Sequence, residues 1–147
     1  MPPETGEPAV GLLLFIPYRE IENRVFRALA AAGFDDFTPA QARVMQRIGP
    51  DGTRLTELAA AAQVTKQTAS FLVDQLERAG YVRRTPDPTD ARARLVRIAE
   101  RGAAAQPVAA AVVAQVEGEW RAHLGDRRWS QLREALTRLR EITDPYR

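Results

Sequence analysis

At 147 residues, with no Cys, one His and a formal net charge of +2, the chain excludes disulfides, thiolate metal sites and cysteine redox chemistry, and it is no acidic substrate trap. No apolar run approaches the roughly 18 residues of a membrane span. The start, with Glu4 and Glu7, lacks the basic region of a secretory signal. These features predict one domain with a sizeable core in a soluble, cytoplasmic protein that contacts no membrane. The basic side chains are nearly all Arg, suited to forked contacts with phosphate and guanine, so their distribution matters more than their sum.

Residues 1–8 hold Pro2, Pro3 and Pro8 and read as a loose arm. From 11 to 32 the pattern is helical, with Ile21, Val25, Ala28, Leu29 and Ala32 on one side and Gly33 as its end. Pro17 either begins this helix or kinks one that starts near residue 10. Its first half is apolar all round (Leu12, Leu14, Phe15, Ile16, Tyr18), which is either deep burial or a surface that meets another subunit or lines a pocket. Thr38-Pro39 opens a helix to about Ile48, with Ala42, Met45 and Ile48 inward, and Gly49-Pro50-Asp51-Gly52 turns the chain. A short strand is expected at Arg54-Leu55, then a helix from 57 to 62 capped by Thr56.

Only Gln63 and Val64 separate that helix from the next, over 65–80, so the pair forms a helix-turn-helix. Thr65 caps its start and Gly80 ends it. Ala69, Leu72, Val73, Leu76 and Ala79 fall on one face, while Gln67, Ser70, Phe71, Asp74 and Arg78 occupy the other. That polar face is either solvated or, from its amide, hydroxyl and ammonium groups, a reader of base edges.

Next, runs at 81–85 and 94–98 suit two strands around turn chemistry at 86–91, the order of a winged helix. Arg83, Arg84, Arg92, Arg94 and Arg97 concentrate there, as a solvated sheet edge or as phosphate contacts. A helix from 100 to 124 (Val108, Val112, Val113, Val116, Trp120) should bend near Pro107. After a break and recap at Gly125-Asp126, a last helix to about Thr143 carries a stripe of Leu132, Ala135, Leu136, Leu139 and Ile142. These helices exceed what a winged helix needs for its own core and predict a dimer interface.

No catalytic or metal site is expected. His123 is alone, Ser70 and Ser130 have no His at a relay position, no phosphate-binding Gly loop is present, and no cofactor is implied. Trp120 and Trp129 read as packing residues or as a ligand platform.

The Leu55-Thr56-Glu57-Leu58-Ala59 entry, the 65–77 helix ending in Leu76-Glu77-Arg78-Ala79-Gly80-Tyr81-Val82, the wing Asp87-Pro88-Thr89-Asp90-Ala91-Arg92 and the strand Leu95-Val96-Arg97-Ile98 leading to Gly102 together resemble the multiple-antibiotic-resistance regulator (MarR) family. The resemblance implies a mainly α fold with a small β-hairpin wing: a winged helix-turn-helix over 38–99, and N- and C-terminal dimerisation helices over 9–33 and 100–147 of one domain spanning 9–147. It implies a homodimeric regulator, a ligand-responsive repressor, on a pseudo-palindromic operator in double-stranded DNA. Thr65, Lys66, Gln67 and Ser70 would face bases and phosphates, Arg92 would enter the minor groove, and Asp90 would orient or pair with an arginine of the wing. Arg83, Arg84 and Arg94 complete the expected DNA-binding set. The alternative is a winged-helix protein-interaction module without specific DNA binding, which the Arg-rich wing disfavours.

Two departures stand out. Phe71 replaces the family's frequent basic residue and either meets a thymine methyl or packs under the wing. Ala99 replaces the Thr before the next helix, whose start should fray. A small aromatic or anionic effector is expected near Tyr18, Arg19, Phe37, Met45 and Trp120.

Overall fold

The structure, a computed structural model, describes residues 6–144, so most of the arm expected over residues 1–8 lies outside the described residues. Helices and strands follow in the order α1 (Val10–Ala31), α2 (Pro39–Met45), β1 (Thr53–Arg54), α3 (Leu55–Ala61), α4 (Lys66–Arg78), β2 (Val82–Asp87), β3 (Asp90–Ile98), α5 (Glu100–Leu124) and α6 (Asp126–Thr143). The molecule is mainly helical, and its three strands form one antiparallel sheet in the order β1-β3-β2.

α1 runs through Pro17 rather than starting there, although the ring has no N–H to return to the Leu13 carbonyl. Of the stripe expected to face inward, Leu29 is buried and Ile21, Val25 and Ala28 are half-buried, whereas Ala32 lies past the last turn and is exposed. α2 begins as its sequence predicts. The Gln41 N–H donates to Thr38 Oγ1 at 3.2 Å, and the Thr38 N–H donates to Gln41 Oε1 at 3.0 Å, a reciprocal capping box. It ends at Met45, three residues before Ile48, because Arg47 and Ile48 bond to the carbonyls three residues back and tighten the chain toward the Gly49–Gly52 turn.

The entry to the helix-turn-helix differs from expectation. β1 is Thr53–Arg54, paired with Val96 and Leu95 of β3, and Leu55 already belongs to α3. Thr56 is therefore not the cap; Arg54 occupies the N-cap in extended conformation with no side-chain capping bond. Leu55 packs against the core from the first turn of α3. Gln63, with φ +58°, makes the sharp turn into α4.

Thr65 then caps α4, its Oγ1 accepting the Thr68 N–H at 3.0 Å. The other end is a Schellman motif: Gly80 takes φ +86°, its N–H donates to Glu77 O, and the Tyr81 N–H donates to Leu76 O.

The hairpin is longer and tighter than its sequence suggests. Its strands reach Asp87 and Asp90, leaving Pro88 and Thr89 as the turn, with a register shift between Pro86 and Asp87. Tyr81 lies outside β2 and is fully buried. Ala99 gives α5 no side-chain cap, and its backbone is bonded instead. The Ala99 N–H donates to Tyr81 O at 2.9 Å, and Gly102 approaches that oxygen so closely that a Cβ would lie 2.3 Å from it. Pro107 falls inside α5 and does not begin it. At Gly125 (φ +84°) the helix breaks, but Asp126 does not recap; it is the first residue of α6, and it accepts from Arg121 Nε at 2.8 Å.

Val44, Leu58, Val73, Leu76, Tyr81, Val82 and Val96 form a core between α2, α3, α4 and the sheet, which Leu29 and Ala105 close from the long helices. Each fully buried aliphatic chain contributes roughly 1.5–3 kcal/mol. Among the described residues no buried side-chain N or O lacks a hydrogen-bond partner. α5 packs along α1, helped by a forked Arg24–Glu119 ion pair, and α6 packs on α5 without burying any residue of its own.

Candidate nucleic-acid interface

The four apolar residues that fix α4 to the core, Ala69, Leu72, Val73 and Leu76, turn its other side outward. Thr65, Lys66, Gln67 and Phe71 are exposed there, and Ser70 is half-buried at the margin. Phe71 is 58% exposed and does not pack under the wing. The first turn thus offers a lysine, an amide and, at the cap, N–H groups whose partial positive charge favours an anion.

Arg84 has a different place from the one expected. Its β2 position puts it on the same side as the buried Val82, and its guanidinium donates to Asp74 Oδ1 at 2.7 Å and to Glu77 Oε1 at 2.9 Å on α4. The Arg84 N–H also donates to Glu77 Oε2 at 2.8 Å. Arg84 is therefore ion-paired with both carboxylates of α4 and ties that helix to the wing. Arg83 lies on the opposite side of the sheet, directly across from Arg97, whose Nε donates to Thr85 Oγ1 at 2.9 Å. Like charges set face to face weaken a sheet, so this pairing adds nothing to its stability.

Near the wing tip Asp90, Arg92 and Arg94 are exposed. Asp90 accepts the Arg92 N–H at 3.0 Å, so it shapes the backbone two residues on. The carboxylate that pairs with an arginine is Asp87. Buried to 7% exposure, it accepts from the Thr89 N–H (2.8 Å), the Thr89 hydroxyl (2.7 Å) and Arg54 Nε (2.8 Å). These donors, the Thr89 N–H foremost, hold its carboxyl below the usual carboxylate range. Asp87-Pro88-Thr89 was legible as turn chemistry, but nothing local pointed to Arg54 as its partner 33 residues earlier.

Sequence reasoning also missed a cluster where the long helices meet the winged helix. The Tyr81 hydroxyl donates to Asp36 Oδ1 at 2.5 Å, and Arg101 donates to Asp36 Oδ2 at 2.6 Å and to Ala79 O at 3.1 Å, its guanidinium 4.6 Å from the Tyr81 ring centroid. Burial, reinforced by the Asp36 hydrogen bond, pushes the Tyr81 hydroxyl up to about 12. The Tyr81 and Arg101 hydrogen bonds pull Asp36 down.

The residues expected to hold an effector divide between two cavities. Tyr18, Phe37 and Met45 line one of about 400 Å³ between α1, α2 and α5, together with Glu22, Phe26 and Gln106. Trp120 lines a second, more open cavity of about 810 Å³ between α1, α5 and α6, which shares only Tyr18 and Ile21 with the first. Arg19 lines neither; it is ion-paired with Glu22. Glu22, buried to 8% exposure, also accepts from Arg43 at 3.4 Å. The Phe37 ring links the first cavity to the cluster above, 5.9 Å from Phe26 and 5.0 Å from Tyr81 between centroids.

A tight helix-turn-helix flanked by a three-stranded wing defines the winged-helix class of DNA-binding folds. Residues 35–93 match the sequence profile of the MarR family. Among solved structures, the crystal structure of MarR is 26% identical with a TM-score of 0.70 over 92% of this chain and 98% of that one. CouR from Rhodococcus jostii RHA1 bound to p-coumaroyl-CoA is 27% identical, with a TM-score of 0.70 over 92% of each chain. A second structure of the repressor CouR, on a 23-mer DNA duplex, is similar in fold at 24% identity, with a TM-score of 0.69 over 89% of this chain and 92% of that one. The comparison with curated proteins returned no match. Over residues 35–93 the chain is similar to the MarR family, whose members are transcriptional regulators rather than enzymes.

Proposed function

We infer that the protein is a ligand-responsive repressor that binds a pseudo-palindromic operator in the cytoplasm as a homodimer. In this reading residues 38–99 dock on DNA, and residues 9–33 and 100–147 dimerise within one domain spanning 9–147. Thr65, Lys66, Gln67, Ser70 and Phe71 enter the major groove; Arg92 enters the minor groove, whose negative potential draws a cation. Arg83 and Arg94 meet phosphates, while Asp90 and the Asp87–Arg54 pair fix the wing.

The observation that carries the reading is α4, free of net acidity because Lys66, Arg78 and the Arg84 paired with it outnumber Asp74 and Glu77, beside exposed arginines on the hairpin. Exposed apolar side chains at residues 12–16 of α1 and at Leu132, Leu136 and Leu139 of α6 support the dimer, since such patches mark interaction surfaces. The apolar, aromatic-lined cavity beside Phe37 supports a small effector, as does the p-coumaroyl-CoA bound by CouR. No helix among the described residues is long and apolar enough to cross a membrane.

The test is selection from a random duplex library, followed by anisotropy titration against scrambled competitor. The expected preference for the selected duplex is about 10³-fold or more, and each phosphate contact should steepen the salt slope by roughly 0.9. Equal, weak binding to both duplexes would leave the winged helix as a protein-interaction module.

A further inference from the structure

Among the described residues, the exposed large apolar side chains fall on α1 and α6, the two helices assigned above to the dimer, with one exception. That exception is Phe71. It lies in the second turn of α4, four residues after Gln67 and three before Asp74, so its ring stands between them in the middle of the outward side. Neither the core nor the wing covers it; the ring is 58% exposed. A phenyl ring left in water forgoes the burial that makes Phe a core residue, and its position makes it the one large apolar group that α4 would carry into a major groove.

That groove displays one apolar group, the C5 methyl of thymine; the other base edges there are hydrogen-bond donors and acceptors. A phenyl ring pressed on cytosine or a purine would strand those groups away from water, which disfavours those bases. The surroundings suit such a contact. Gln67, one turn earlier, can bond a neighbouring base, and Asp74, one turn later, is held by Arg84 and does not repel the phosphates. We propose that Phe71 is a specificity-determining residue that reads the 5-methyl group of a thymine in each half-site. The proposal rests on the major-groove docking inferred above and adds to it the base that one side chain selects.

The experiment uses the full chain and a duplex selected from a random library, with each thymine in turn replaced by deoxyuridine, which removes the methyl and leaves the pairing edge intact. Anisotropy should show about fourfold weaker binding per half-site at one thymine under α4, the effect of withdrawing one methyl from an apolar contact. Phe71→Ala, whose unchanged melting curve would verify the fold, should bind the thymine and deoxyuridine duplexes equally well. Wild-type indifference to every deoxyuridine, equal sensitivity in Phe71→Ala, or selected duplexes without a thymine in the stretch covered by α4 would each overturn the assignment while leaving DNA binding intact. Failure of any duplex to outcompete scrambled DNA would instead remove the docking itself, and the assignment with it.

Discussion

Arg84 holds its positive charge against Asp74 and Glu77 of α4. Its forked contact with Asp74 and Glu77 is partly exposed and adds little to folding, since such surface pairs contribute roughly 0–1 kcal/mol. Its value lies in binding. Arg84→Ala should leave the melting temperature nearly unchanged while weakening operator binding by about tenfold, because two bare carboxylates would then face the phosphates. Adding Asp74→Asn and Glu77→Gln should restore much of the loss in anisotropy titrations; no restoration would mean that Arg84 touches phosphate directly. Tyr81 acts on stability instead. Tyr81→Phe removes a hydrogen bond to a charged acceptor and should cost about 1.5–3 kcal/mol in urea unfolding. Because the folded hydroxyl titrates above an ordinary tyrosine, at about 12, its contribution is complete below pH ~10 and is lost as pH rises toward 12. The gap between wild type and Tyr81→Phe should narrow across that window. Asp36 and Asp87 behave oppositely: both are pulled down, so their contributions are present above the ordinary Asp value of about 4 and disappear as pH falls below it.

Among the elements, the wing is posed by contacts distant in sequence. Asp87 joins the hairpin tip to β1 through Arg54, and Arg84 joins its base to α4. Asp87→Asn should raise amide exchange in residues 84–94 and weaken DNA binding, with protection in α1 and α5 unchanged; protection lost throughout the molecule would make Asp87 a general stability residue. The same contrast explains what was legible in the sequence. α4 was read from Thr65 to Gly80 because its cap, its apolar spacing and its left-handed terminator all lie within the segment. The hairpin ends were misplaced because a register shift and an Asx-type turn at Asp87 let pairing continue past Pro86. Thr56 looked like a cap, but pairing of Arg54 with Leu95 and packing of Leu55 fix the start of α3 two residues earlier. The ion pairs of Arg84 were not legible for a related reason: sequence registers its charge, not the carboxylates on another element that hold it.

For the whole molecule, the exposed ends of α1 and α6 leave an apolar surface that one chain does not cover. Leu136→Glu should give a monomer in sedimentation velocity with the helix-turn-helix still folded, and its operator affinity should fall by at least tenfold as the two half-sites uncouple. A Leu136→Glu protein that remained dimeric would move the interface elsewhere. The cavity beside Phe37 could be foreseen only as a set of aromatic residues; that Trp120 belongs to a separate opening depends on how α1, α5 and α6 pack, which no local pattern encodes. The central claim is that α4 takes the major groove while Arg92 takes the minor groove. Dimethyl sulfate footprinting of a selected operator tests it most directly, because guanine N7 lies in the major groove and adenine N3 in the minor. The account predicts guanine protection in two major-groove segments about 10 base pairs apart or a multiple of that, with flanking adenine protection that disappears in Arg92→Ala while the guanine protection stays. Adenine protection unchanged in Arg92→Ala, or guanines left open in the bound operator, would contradict it.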